Sequence, residues 1–185
     1  MKIFKFSLEK SYLIKLDKYQ DKRGMFFEMF KKSTFNKFIK YNFVQDNISF
    51  SKKNTLRGLH YQFKKPQGHL VTVLQGKIYD VGLDLRKKSK TFGKYAAVEL
   101  SEKNNTSVFW PPGVAHGFFA IGNKNIINYK CTGYYYSMFE IGVKYNDPDL
   151  KIKWPIKKNN VNISLRDQKN FDFKTIKKLY LPKLK

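Results

Sequence analysis

A period of two runs through the chain. Apolar and polar residues alternate, or gather into short β-branched and aromatic blocks, over residues 12–16, 43–50, 70–74, 77–85, 95–100, 107–110, 118–121 and 126–132. Successive side chains of a strand point to opposite faces, so each block can bury one face and present the other to water. Turn chemistry separates the blocks, at Gly58, residues 65–68, Gly76, Gly93, residues 102–105 and residues 122–124. Only two stretches read as helical: one capped by Ser33 or Thr34 and running through Lys40, and one over residues 171–179. The expected fold is therefore mainly β, an antiparallel sandwich or barrel with short peripheral helices and a ligand site at the barrel mouth. No repeat, low-complexity tract or linker interrupts residues 1–185, which are expected to form one domain.

Composition narrows the class of protein. Hydrophobic residues at 42% and aromatics at 17% rule out a disordered chain. No run approaches the roughly 20 apolar residues that span a bilayer, and the start, MKIFKFSLEK, lacks an apolar block with a cleavage site. A soluble, cytoplasmic protein without a membrane partner is expected. The single cysteine, Cys131, leaves no internal disulfide and no cysteine-based zinc cluster, in keeping with a reducing compartment.

The net charge of +23 is the usual footprint of a nucleic-acid binder, but its distribution argues otherwise. Lysines are scattered along the whole chain, with no block of five or six basic residues, as expected of a bias toward A/T-rich codons. No specific nucleic-acid partner is expected. Only Arg23, Arg57, Arg86 and Arg166 are arginines, and in so lysine-rich a chain they mark places where a planar, bidentate fork is needed. The ordinary alternative is a surface ion pair. Arg86, two residues from Asp84 on one strand face, is assigned to structure, and Phe26, Phe118 and Phe119 to the core.

The chemistry must come from few residues. The three histidines are His60 in LRGLHYQ, His69 in PQGHLV and His116 in PPGVAHGF, each on or beside an expected strand. A lone strand histidine is more often packing than catalysis. Arg57 and His60, however, lie three apart across Gly58, so one strand can direct an anion-binding fork and a titratable base toward one cavity. Metal binding is disfavoured, since there is no H-x-H pair and no Glu or Asp near His60 in sequence. There is no G-x-S-x-G, no sequence-visible histidine partner for Cys131 and no glycine-rich phosphate loop opening a helix. His/Asp/Tyr acid–base work remains, with Asp80, Asp84, Asp167, Tyr129 and Tyr134 as candidates among which spacing cannot choose.

Five longer strings make the reading specific: RGMFFE, FVQDNISFSKKNTLRGLHYQ, QGHLVTVLQGKIYDVGLDLRKKSKTFG, PPGVAHGF and YKCTGYY, with NDPDLKIKWP and ISLRD after them. In collinear order over about residues 10–170, they resemble the dTDP-4-dehydrorhamnose 3,5-epimerase family. The resemblance implies a cupin-type jelly roll, a homodimer with strands exchanged across the interface, a nucleotide-sugar substrate, and neither metal nor other cofactor. By the same matching, His60 is the general base, Asp167 the carboxylate that orients it, and Tyr129 the general acid. Arg57 and Arg23 match diphosphate ligands, and Gln45, Asn47 and His116 pocket residues. Tyr134 matches the aromatic on which the base stacks, Glu140 falls at a nucleotide-binding position, and Glu28 is a substrate-binding candidate. In their ordinary use, Gln45 and Asn47 would satisfy strand-end backbone groups, and residues 134–136 would form an interface stripe.

Two positions depart from the family pattern. Where the family has a lysine in QGKL, close to the C4 oxygen, this chain has His69, which would have to be protonated to supply the same charge. Gly133 replaces a larger polar residue. The other readings are a 3,4-ketoisomerase of the same fold, a non-catalytic polyanion-binding β-barrel and a metal-dependent cupin enzyme. The ketoisomerase is ranked lower because no second histidine stands beside His60 in sequence.

Overall fold

The computed structural model describes residues 1–157 and 160–184. In chain order the strands are β1 (Lys2–Lys5), β2 (Tyr12–Lys15), β3 (Lys18–Asp21), β4 (Gly24–Phe27), β5 (Gln45–Lys52), β6 (Thr55–Gln62) and β7 (His69–Gln75). They continue with β8 (Lys77–Asp84), β9 (Tyr95–Ser101), β10 (Thr106–Trp110), β11 (Val114–Ala120), β12 (Lys124–Cys131), β13 (Glu140–Gly142) and β14 (Asn162–Ile163). Among the described residues three short α-helices accompany them, α1 (Lys32–Phe35), α2 (Leu165–Gln168) and α3 (Phe173–Leu179), with one 3-10 turn at Ser137–Phe139. Among the described residues no helix is long and apolar enough to cross a membrane.

Two sheets carry the fold, one in the order β1-β2-β10-β7-β12-β5 and the other β13-β6-β11-β8-β9. Their pairings are antiparallel, apart from short β14 alongside β6. The result is a cupin-type jelly roll, with the sheets facing one another rather than closing into one hydrogen-bonded cylinder. Val71, Val73, Ile78, Leu100, Val108, Trp110, Phe118 and Ile127 fill the space between them. A fully buried aliphatic or aromatic side chain of this kind contributes about 1.5–3 kcal/mol. The outer face of the first sheet is covered by Phe35 and Ile39, that of the second by Phe173 and Ile176. The central strands therefore bury both faces, as in β11, VAHGFFA, where every residue is buried.

Several expectations need correction. β6 runs straight through Gly58, which the sequence presents as a break. The first helix spans only Lys32–Phe35, begins after Lys31 without a side-chain cap, and does not reach Lys40 as a helix. The second expected helix holds as α3, capped by Asp172, whose carboxylate accepts from Thr175 N–H at 2.7 Å. Phe118 and Phe119 are buried, but Phe26 is 69% exposed on the β3–β4 hairpin, which no second layer covers. Arg86 is structural as expected: its guanidinium donates to both oxygens of the buried Asp84, at 2.8 and 2.7 Å.

Candidate active site

His60 on β6 lies directly opposite His116 on β11. Gly58 makes this approach possible. Its φ is +104°, and a Cβ there would sit 2.6 Å from the carbonyl oxygen of His116, so any larger residue would push the strands apart. The β6–β11 register also shifts between His116 and Phe118. Residues three apart on a regular strand face opposite sides. At this irregularity Arg57 and His60 instead line one cavity of about 250 Å³, together with Asn47, Ser49, His69, His116, Tyr129 and Glu140. An adjoining cleft shares Arg57 and His60 and adds Ser164, Arg166 and Asp167.

Asp167 reaches His60 from a distant segment. Ser164 caps α2 by accepting the Asp167 N–H at 3.1 Å, which sets the carboxylate against β6. One oxygen of Asp167 lies 2.5 Å from His60 Nε2, and the other accepts the Gly58 N–H at 3.2 Å. Burial alone would raise the Asp167 carboxyl. The hydrogen bond and charge of His60, the Gly58 N–H and Arg166 more than offset it, and the group is held below the ordinary carboxylate range. A carboxylate that stays ionised accepts from Nε2–H, which leaves His60 Nδ1 as the basic nitrogen.

Tyr129 comes from the opposite wall. It sits on β12 in the first sheet, whereas His60 is in the second, and both line the same cavity. Its hydroxyl is 3.0 Å from Ser49 Oγ and its ring packs edge-on to His116 at 5.9 Å. Burial, reinforced by Asp80, raises the phenol well above its ordinary value despite the Ser49 bond. A phenol in that state keeps its proton at neutral pH and can deliver it as a general acid.

His69 also lines the cavity, with its ring 5.8 Å from that of His116, and its Nδ1 is buried without a hydrogen-bond partner. Burial, then the neighbouring His116 and His60, pushes its pKa from 6.5 to about 3. His69 is thus neutral near pH 7 and lacks the charge that a lysine at this position would carry. The unfolded chain accepts a proton here that the folded chain refuses. The neutral imidazole therefore contributes fully above pH 6.5, and its contribution is lost as the pH falls toward 3. Urea unfolding at pH 7 and pH 5 is expected to show wild type losing about 1–2 kcal/mol relative to the His69→Gln variant. Equal losses in both proteins would contradict it.

The remaining candidates divide. Asn47 and the guanidinium of Arg57, whose Nε donates to Ser51 Oγ at 3.2 Å, are at the cavity. Gln45 serves strand-end groups: it accepts the Tyr135 N–H and donates to Asn47, both at 3.0 Å. Glu140, at the rim, pairs with Arg166 and accepts from the Tyr135 hydroxyl at 3.0 Å. Tyr134 is 61% exposed on a loop held by the buried Gln62 and Gln67. Arg23 and Glu28 are exposed on and just after the β3–β4 hairpin, with Arg23 paired to Asp21, and neither lines the cavity. Sequence reasoning missed Ser49 and the place of Arg166. It also missed α2, for which the Ser-x-x-Asp spacing of SLRD was an available capping signal. Among the described residues no group of three or more His, Cys, Asp or Glu side chains converges as metal ligands would.

A jelly roll that brings a carboxylate-braced imidazole and a largely enclosed, protonated phenol to one cavity defines a cupin-type protein with an acid and a base at its candidate site. The family model described as dTDP-4-dehydrorhamnose 3,5-epimerase matches residues 5–175, and the chain belongs to that family of isomerases. It is 44% identical to the dTDP-4-dehydrorhamnose 3,5-epimerase of Methanothermobacter thermautotrophicus over 156 residues, covering 84% of each chain. The crystal structure of dTDP-6-deoxy-D-glucose-3,5-epimerase from Legionella pneumophila, in complex with dTDP-4-keto-L-rhamnose, superposes with a TM-score of 0.94. It is 38% identical, over 100% of this chain and 98% of that one. ChmJ, a 3'-monoepimerase from Streptomyces bikiniensis solved with dTDP-quinovose, is similar at 28% identity and a TM-score of 0.87, covering 96% of this chain and 91% of that one.

Proposed function

We propose that the chain, as a single epimerase domain, inverts C3, C5 or both in a dTDP-4-keto-6-deoxyhexose without a cofactor. His60 Nδ1 takes the hydrogen beside the C4 ketone as a proton. The electrons of that C–H bond move to the carbonyl oxygen as an enolate, and Tyr129 returns a proton to the opposite face of the carbon. Solvent exchange then resets the imidazolium and the phenolate. The observation that carries this reading is the convergence of His60, braced by Asp167, and the partly buried Tyr129 on one cavity from opposing sheets. The substrate class is supported by the relatives, and the guanidinium of Arg57 offers the diphosphate a fixed fork. In this reading Tyr134 stacks on the base and His69 donates as a neutral imidazole to the C4 oxygen.

A homodimer belongs to the same proposal. β5 is a sheet edge with Ile48 and Phe50 exposed at 56% and 72%, and the hairpin beside Arg23 exposes Tyr19, Met25 and Phe26. Apolar surface beside an unpaired edge fits a second copy, which would bring Arg23 and Glu28 to a partner's nucleotide.

Incubated with substrate in deuterated buffer, the protein is expected to place deuterium at C3, C5 or both. No exchange at either carbon would refute the reading. The fold does supply what the sequence hid for the ketoisomerase alternative, a second histidine, His116, opposite His60. A carbonyl shifted to C3 in the product NMR spectrum would favour that reaction.

A further inference from the structure

The cavity contains a second histidine–carboxylate pair. Asp80 on β8 is fully buried among apolar side chains, and its carboxylate meets two donors, Trp110 Nε1–H and His116 Nε2, each at 2.7 Å. Trp110 reaches Asp80 by crossing Gly82, where a Cβ would lie 2.6 Å from the indole ring. Burying a carboxylate is costly where an apolar residue of the same volume would fill the space, so packing alone does not account for it. With Trp110 fixing one oxygen, the other accepts from Nε2–H of His116. Nδ1 is then the nitrogen left for the cavity that His116 lines.

Building on the epimerase reading, we infer that Asp80, anchored by Trp110, is a positioning residue: it holds His116 in the tautomer whose unprotonated Nδ1 accepts a hydrogen bond from a sugar hydroxyl. The cavity then offers the substrate complementary groups, donors from Arg57 and His69 and an acceptor from His116. A sugar lacking that hydroxyl would leave a desolvated acceptor unpaired, and the site would discriminate against it.

Asp80→Asn tests this with nearly unchanged shape. Its amide oxygen can still accept from Trp110. Its NH₂ then faces His116 and drives the ring proton to Nδ1, turning the acceptor into a donor. The expected result is a fall in kcat/KM of about 10²-fold, expressed largely in KM. Adding Asp80→Asn to His116→Ala is expected to change kcat/KM by less than about threefold beyond the single variant, because Asp80 acts through His116. Fully additive losses, or an Asp80→Asn variant within about threefold of wild type, would overturn the inference. Should Asp80→Asn fail to fold, ¹⁵N NMR of the wild-type imidazoles decides: His116 protonated at Nε2 supports the inference, and protonation at Nδ1 refutes it. Absence of deuterium exchange in wild type would instead defeat the epimerase reading, and the tautomer measurement would still stand.

Discussion

Replacing His60 with glutamine is expected to slow solvent deuterium exchange at the sugar carbons by roughly 10³- to 10⁴-fold, the upper range for loss of a general base. The choice of glutamine matters. Its amide nitrogen can stand where His60 Nε2 meets Asp167 at 2.5 Å, so the buried carboxylate keeps its donor and only the basic Nδ1 is lost. A thermal melt close to wild type together with lost exchange would separate chemistry from folding. Exchange within about tenfold of wild type would mean that some other group removes the proton.

Tyr129→Phe is expected to produce a different defect of similar size. The ring and its contacts with His116 and Phe118 remain, while the proton donor and the bond to Ser49 disappear. Formation of the inverted product should fall about 10²- to 10⁴-fold. Deuterium should still enter the substrate with retained configuration, because His60 continues to take and return the proton on its own face. Equal loss of exchange and inversion would place Tyr129 in the abstraction step, and unimpaired inversion would remove it from the mechanism.

The two variants depend on residues whose relation was legible to different degrees. Most strands could be read directly, because a half-buried pleated strand must alternate and these segments do. β6 escaped, since Gly58 reads as a turn until β11 lies against it and the absence of a Cβ becomes a packing requirement. The β3–β4 hairpin escaped because its strands are short and largely exposed, leaving no buried face to pattern. α2 is four residues long, too short for a helical period, and only its serine cap signalled it. The roles of His60, Asp167 and Tyr129 came from family resemblance. Residue types alone left Asp80, Asp84 and Asp167 equivalent, yet the first braces His116, the second holds Arg86 and the third braces His60.

From its sequence alone the chain was bound to be a β structure with imidazole, carboxylate and phenol as its favoured acid–base set, because alternation and side-chain inventory are local properties. Which carboxylate met which histidine, whether His69 carried a charge, and which wall held the phenol were decided by tertiary structure. His60 and Asp167 are 107 residues apart. Proton affinity depends on distance, burial and orientation, and those quantities exist only once two sheets have closed on a common cavity.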